Sequence, residues 1–232
     1  MNVSQEQDVE LKEYHVSKFN LTIYKKFNRK EWLIPVVPGV FMLAMGVLMG
    51  LVWPEFKGLL EEGGFKELLQ SGFYQALIPG SSSLDMTSFE GFWAMELLTI
   101  LDFFMLFLAI FIPVRLISNE VDKNTLDISL SFPVPRWQFV LQKFLVYLTQ
   151  MAIFIGFIVV GAVFSAELIG ESFNYENLLL ASLAIFILFF TLGAMSLLAS
   201  ALFLESGRSL SVAAVFVIGM WILNSIGIST QL

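Results

Sequence analysis

The 232 residues are 57% hydrophobic and only 14% charged, with 24 Phe and a formal net charge of −7. A soluble domain has about 25% charged residues, so a water-facing surface cannot be built from this composition. The acidic balance and the lack of a dense Lys/Arg tract argue against nucleic acid as a partner, and the absence of cysteine excludes disulfides, thiolate chemistry and Cys-based metal sites.

The chain reads as one membrane domain over residues 1–232, all-α, with its N-terminal part at 1–31. Its first residues, MNVSQEQDVELKEYH, are polar and acidic and lack the basic and apolar regions of a cleaved signal. Phe19, Ile23 and Phe27 then recur every four residues among Lys18, Lys25, Lys26, Arg29 and Lys30. This pattern fits an amphipathic elbow helix in the membrane interface, and equally a solvated basic stretch that only fixes topology.

A helix rising about 1.5 Å per residue needs roughly 20 apolar residues to cross a hydrocarbon core. Five segments meet that requirement, at 33–52, 97–117, 139–164, 178–204 and 209–228. Trp32 and Trp53 bracket the first, and Trp93, Trp137 and Tyr175 precede the next three, as expected of aromatic residues at headgroup level. Lys and Arg fall on one side of this layout, before the first span, at Arg115, Lys123, Arg136 and Lys143, and at Arg208. The other side has only Lys57 and Lys66. The excess predicts a cytoplasmic N-terminus in a multi-pass protein of the plasma membrane.

The segment 54–91 is expected to be an outer loop, with short amphipathic helices broken at Gly63 and Gly64 and folded over the outer mouth. Gly46 and Gly50 on the first span, and Ser196 and Ser200 on the fourth, form small-xxx-small pairs that let helices approach closely. Met42, Met45 and Met49 share one face of the first span, which suits packing better than soft-metal binding.

Intramembrane hydrolysis needs paired carboxylates, a Ser–His pair or His and Glu metal ligands. The sole histidine, His15, lies in the polar N-terminal segment, which rules out intramembrane Ser–His catalysis and His-based zinc sites, and no GxxxxGK[ST] phosphate cradle occurs, so the chain is not expected to be an enzyme and energy for transport must come from elsewhere. Glu96 and Asp102 fall in the second span, where a charge costs roughly 2.5–3.5 kcal/mol on insertion scales. Asp102 is a candidate for a substrate or proton path, or a protonated residue hydrogen-bonded to a neighbouring helix. Gln150 and Asn224 raise the same question more weakly.

The cytoplasmic segment 118–138 is the most informative. Asn119 to Thr125 can start a helix, Leu126, Ile128, Leu130 and Phe132 give it an apolar side, and Pro133 and Pro135 stop it before Trp137. A short, bounded amphipathic helix suits docking into a partner's groove. The run Glu120-x-x-Lys-Asn-Thr125-Leu126-x-x-Ser-Leu130-x-x-Pro133-x-x-Arg136, followed by Lys143, resembles the E-x-x-x-G-T-L-x-x-L-L-x-x-P-V-x-R…K signature of type-2 ATP-binding-cassette exporter permeases. Asn124 departs from the family's usual Gly, and Asp127 from a more often neutral position.

The resemblance implies that this segment is a coupling helix, with Glu120, Asp122, Thr125, Leu126, Leu130, Pro133 and Arg136 at the contact with an ATPase. It further implies a cytoplasmic ATPase dimer that holds ATP and Mg, no cofactor bound by this chain itself, and a second permease subunit, identical or homologous, in the lipid bilayer. The family's six spans predict that the natural polypeptide continues into a sixth helix beyond Leu232, which an intact-mass measurement ending at Leu232 would refute. A competing reading is an ATPase-independent scaffold, or an ion-coupled carrier using Asp102.

Overall fold

Hydrocarbon offers no water to backbone N–H and C=O groups, so a segment crossing it must satisfy them internally, as a helix does. The computed structural model describes residues 21–61, 88–124, 135–203 and 205–229. Among the described residues are six helices and no strand, namely α1 (Thr22–Lys30), α2 (Leu33–Glu61), α3 (Phe89–Asp122), α4 (Arg136–Ile169), α5 (Tyr175–Phe203) and α6 (Ser206–Ser229). The all-α membrane fold expected from composition is the one found. Leu33–Leu59, Arg136–Ile169 and Tyr175–Phe203 are each long and apolar enough to cross a bilayer, while Ser206–Met220 is a shorter apolar stretch. The expected span at 97–117 lies within α3.

α2, α3, α4 and α6 overrun the apolar segments that announced them, because a helix does not end where hydrocarbon does. The difference is largest at Pro54, where an outer loop is expected to begin. There α2 continues to Glu61 with Pro38 and Pro54 inside it. The single backbone bond lost at a proline is offset by what the next turn buries. Phe56 packs on Phe92 with ring centroids 4.4 Å apart, and Trp53 packs on Phe89 and Phe92. Residues 62–87, which include Gly63 and Gly64, lie outside the described residues.

Helix ends are made by local chemistry. Ser88 caps α3 by accepting from Gly91 N–H at 3.1 Å. Pro135, in extended conformation, precedes α4, and Gly170, at φ 72°, ends it in the left-handed region that favours glycine. The Asn174 side chain then caps α5 by accepting from Glu176 and Asn177 N–H.

Two seams organise the bundle. α2 lies along α4, and α3 lies against α5 and α6 while also touching α2 and α4. The α2–α4 seam is close because it is lined by small residues. A Cβ placed on Gly50 would stand 2.8 Å from Ser165 Cβ, and one on Gly161 would stand 3.2 Å from Leu43 Cα. Gly46 is tucked against Trp93 and Gly161. The small pair on the first span therefore packs on α4.

At the end of α2 away from α1, Trp53 is 2% exposed and donates its indole N–H to Glu171 at 3.1 Å, where Lys57 also binds at the same distance. These two donors, the indole first, hold the Glu171 carboxyl below the usual carboxylate range. Trp53 and Trp93 are thus buried inside the protein, whereas Trp32, Trp137 and Tyr175 are exposed as membrane anchors would be.

Candidate coupling corner and inner groove

Lysine is almost never fully buried without partners, and Lys143, two turns inside α4, has none of its side chain exposed. Its ammonium donates to Glu120 Oε1 at 2.7 Å and to the Leu116 carbonyl, also at 2.7 Å. The Phe27 ring lies over it at 3.5 Å from the centroid, a cation–π contact. One charge therefore joins the last turns of α3, the first turns of α4 and the elbow helix α1.

α1 is held on a polar strip of α4 at further points. Gln142 Oε1 accepts from Tyr24 N–H at 3.1 Å, satisfying a backbone donor in the first turn that the helix itself leaves open. The hydroxyls of Tyr24 and Thr149 are 3.0 Å apart, and Gln150, fully buried, reaches the Glu31 carbonyl at 3.4 Å. Burial raises the pKa of Glu31, which sits between α1 and α2, against the opposing pull of Lys143.

The residues expected to begin a coupling helix instead finish α3. Asn119 to Asp122 are its last turn, Lys123 and Asn124 N–H close back on Asn119 and Val121, and Asn124 takes φ 52°. An αL residue after the last turn is a helix terminator that glycine adopts most easily and asparagine next. The glycine of the resembled signature falls at this position, so the departure at Asn124 leaves the turn's geometry intact. The helix runs past Ile117 because Leu116, Ile117 and Glu120 continue the face buried against the bundle.

Glu120 is accordingly 8% exposed and faces Lys143. Asp122 is exposed and accepts from the Ser206 hydroxyl, tying the α3 end to the start of α6. Arg136 is exposed as the first residue of α4. Thr125, Leu126, Leu130 and Pro133 lie outside the described residues, as do the side chains of Glu96 and Asp102, whose backbone belongs to α3.

The α3 backbone is stitched to α5 above this corner. Pro113 removes one backbone donor from α3. One residue on, the Ser200 hydroxyl donates to the Val114 carbonyl at 2.8 Å and accepts from Ser118 N–H at 3.2 Å. A side chain entering the i→i−4 ladder is a recognised origin of helix bends. The second serine of the small pair on the fourth span thus serves as a hydrogen-bonding bridge.

Between α2 and α3 runs a cleft of about 540 Å³, lined by Ile34, Val37, Phe41, Phe104, Phe107 and Phe111 and ending at Glu31, Arg115 and Asn119. Met42, Met45 and Met49 line a separate void of only about 10 Å³ beside Trp93, whose buried indole N–H has no acceptor among the described residues. Sequence reasoning counted Lys143 as one more inner-side cation and missed its partners. The available signal was a lysine inside the run FVLQKFLVY, where no charge belongs unless neighbouring helices supply partners.

The family model described as ABC-2 family transporter protein matches residues 6–230. No curated protein and no solved structure matches the chain. The match spans all six helices and the corner they form, and its description agrees with the apolar, all-helical body. The chain belongs to the ABC-2 family of transporter proteins, as a membrane-spanning permease component of an ABC transporter.

Proposed function

We propose that this permease works as an ATP-driven exporter, coupled to a separate cytoplasmic ATPase dimer that binds ATP and Mg, and paired in the plasma membrane with a second permease, identical or homologous. The N-terminus, α1 and the turn between α3 and α4 face the cytoplasm, in keeping with the crowding of Lys and Arg there. The segment 122–136, with Asp122, Thr125, Leu126, Leu130, Pro133 and Arg136, docks on the ATPase, and Glu120 positions it from within. Glu96 and Asp102 belong to the translocation path.

The observation that carries this reading is the Lys143 corner. Lys143 binds Glu120 at 2.7 Å and lies 3.5 Å from Phe27, so the helices on both sides of the turn and the elbow are held as one lever. A push delivered to the turn reaches α1, α3 and α4 together. Coupling of this kind needs a unit that moves between discrete arrangements.

Affinity purification of the chain in mild detergent, then reconstitution with whatever ATPase accompanies it, tests the proposal. Leu126→Asp and Pro133→Ala are expected to release the ATPase or to abolish permease-dependent ATP hydrolysis. Asp102→Asn is expected to keep the ATPase bound while lowering turnover. Intact association and hydrolysis in the first two variants would overturn the docking assignment.

A further inference from the structure

The α2–α3 cleft differs from an ordinary apolar gap in having one charged end. Its floor is closed by the Phe41 and Phe104 rings, 5.5 Å apart, and part of one wall is the stacked pair Phe107 and Phe111, at 4.6 Å. At the opposite end stands Arg115, exposed, with no ion pair among the described residues, beside half-buried Asn119. Arg29 and Lys30, both exposed, end α1 directly before Glu31, which lines the cleft.

The dimensions of the cleft fit one leaflet. At about 1.5 Å per residue, its α2 wall from Leu33 to Phe41 is ~12 Å long and its α3 wall from Phe104 to Asn119 is ~22 Å long. Half of a hydrocarbon core about 30 Å thick lies between these values. Val37 and Phe107, at 65% and 52% exposed, leave the cleft open sideways along its length. The cationic mouth therefore stands at headgroup depth when the aromatic floor stands near the midplane.

We infer that this cleft is a binding site for a membrane phospholipid with an anionic headgroup, one acyl chain lying along Phe107 and Phe111 and the phosphate on Arg115. Arginine recognises phosphate through two parallel N–H donors, and Asn119 supplies a further amide donor. Glu31 lines the same mouth, and burial raises its carboxyl pKa against the opposing pull of Lys143. The inference rests on the membrane reading and on the inner side being the basic one, but not on ATPase coupling.

Native mass spectrometry of the full chain released from detergent, with added dioleoyl phosphatidylglycerol or dioleoyl phosphatidylcholine, tests it. The anionic lipid is expected to be retained about tenfold more tightly, a difference of about 1.4 kcal/mol. Arg115→Gln should remove that preference, Arg115→Lys should restore part of it, and Val37→Trp, which fills the cleft from its open side, should remove retention of both lipids. Arg208→Gln, at an exposed residue of α6 that is paired with Glu205 and does not line the cleft, should change nothing.

Equal retention of the two lipids, or a preference unchanged in Arg115→Gln, would overturn the assignment. Because the chain has no cysteine of its own, Phe107→Cys also reports on a rival occupant. Disulfide trapping of two copies through that position would show the cleft covered by a second permease and overturn the lipid site. ATPase association is scored on the same preparations, so loss of lipid with the ATPase still bound counts against the cleft alone.

Discussion

Lys143 ties α1, α3 and α4 together through one buried charge. Removing one partner from a buried ion pair leaves an uncompensated charge and costs about 3–5 kcal/mol, whereas replacing both by apolar groups is often neutral. Lys143→Met and Glu120→Leu should therefore each lower the unfolding midpoint in detergent substantially. The double variant should recover most of the loss, a non-additivity that a double-mutant cycle measures. Additive losses would mean that the two residues do not act as a pair. Asn124 calls for a smaller and opposite test. At φ 52°, Asn124→Gly should be neutral or slightly stabilising, while Asn124→Val should cost about 1–2 kcal/mol in the same unfolding assay.

Neither residue's role was fully legible in the sequence. The signature placed Glu120, Asn124 and Lys143 in order along the chain, but burial depends on which face of α3 meets α4, and that is fixed by contacts far apart in sequence. The spans at 139–164 and 178–204 were readable because length and apolarity are local properties. The end of α3 was not, since Asn119 to Asp122 have the composition of a helix start and end a helix only because the face they continue is already buried. The sequence likewise marked Pro54 as a stop, and the aromatic cluster of Trp53, Phe56 and Phe92 overrode it.

Among elements, the α4–α5 contact is the most sharply conditioned by one residue. A Cβ on Gly193 would stand 2.1 Å from the Tyr147 ring. That ring has no room to turn away, being fully buried and held by its hydroxyl on the Phe189 carbonyl at 2.9 Å. Overpacking of this kind typically costs 1–3 kcal/mol, so Gly193→Ala should lower the thermal midpoint of the purified chain. Tyr147→Leu should rescue Gly193→Ala, because it removes the colliding ring. Gly46 and Gly50 were legible as a packing pair, while Gly193 stands three residues before Ser196 and escapes the small-xxx-small pattern.

For the whole molecule, the two ends are secured by different chemistry, and this gives them different responses to pH. At the outer end, Glu171 has a folded pKa below its unfolded value, held there by the Trp53 indole and by Lys57. Its contribution to stability is fully present above the unfolded carboxylate pKa of about 4.3. It is lost as pH falls through the lower folded value. Acidification through this window should loosen the α2–α4 outer contact and change Trp53 emission, and Glu171→Gln should flatten that response. A wild-type emission profile that is flat from pH 6 to pH 3 would contradict the assignment.

Ser182, Thr191 and Ser211 each turn back onto the carbonyl four residues earlier in their own helix, whereas Ser200 reaches from α5 to α3 and binds two groups of its backbone. If it let go, Ser118 N–H and the Val114 carbonyl would be left as an ordinary i→i−4 pair free to close on each other, and Ser200 could fold back as its relatives do. No polar group would be stranded in either arrangement. The clasp between α3 and α5 is therefore a fastening that can be released without stranding the backbone groups it holds, because Ser118 N–H and the Val114 carbonyl stand four residues apart in the same helix.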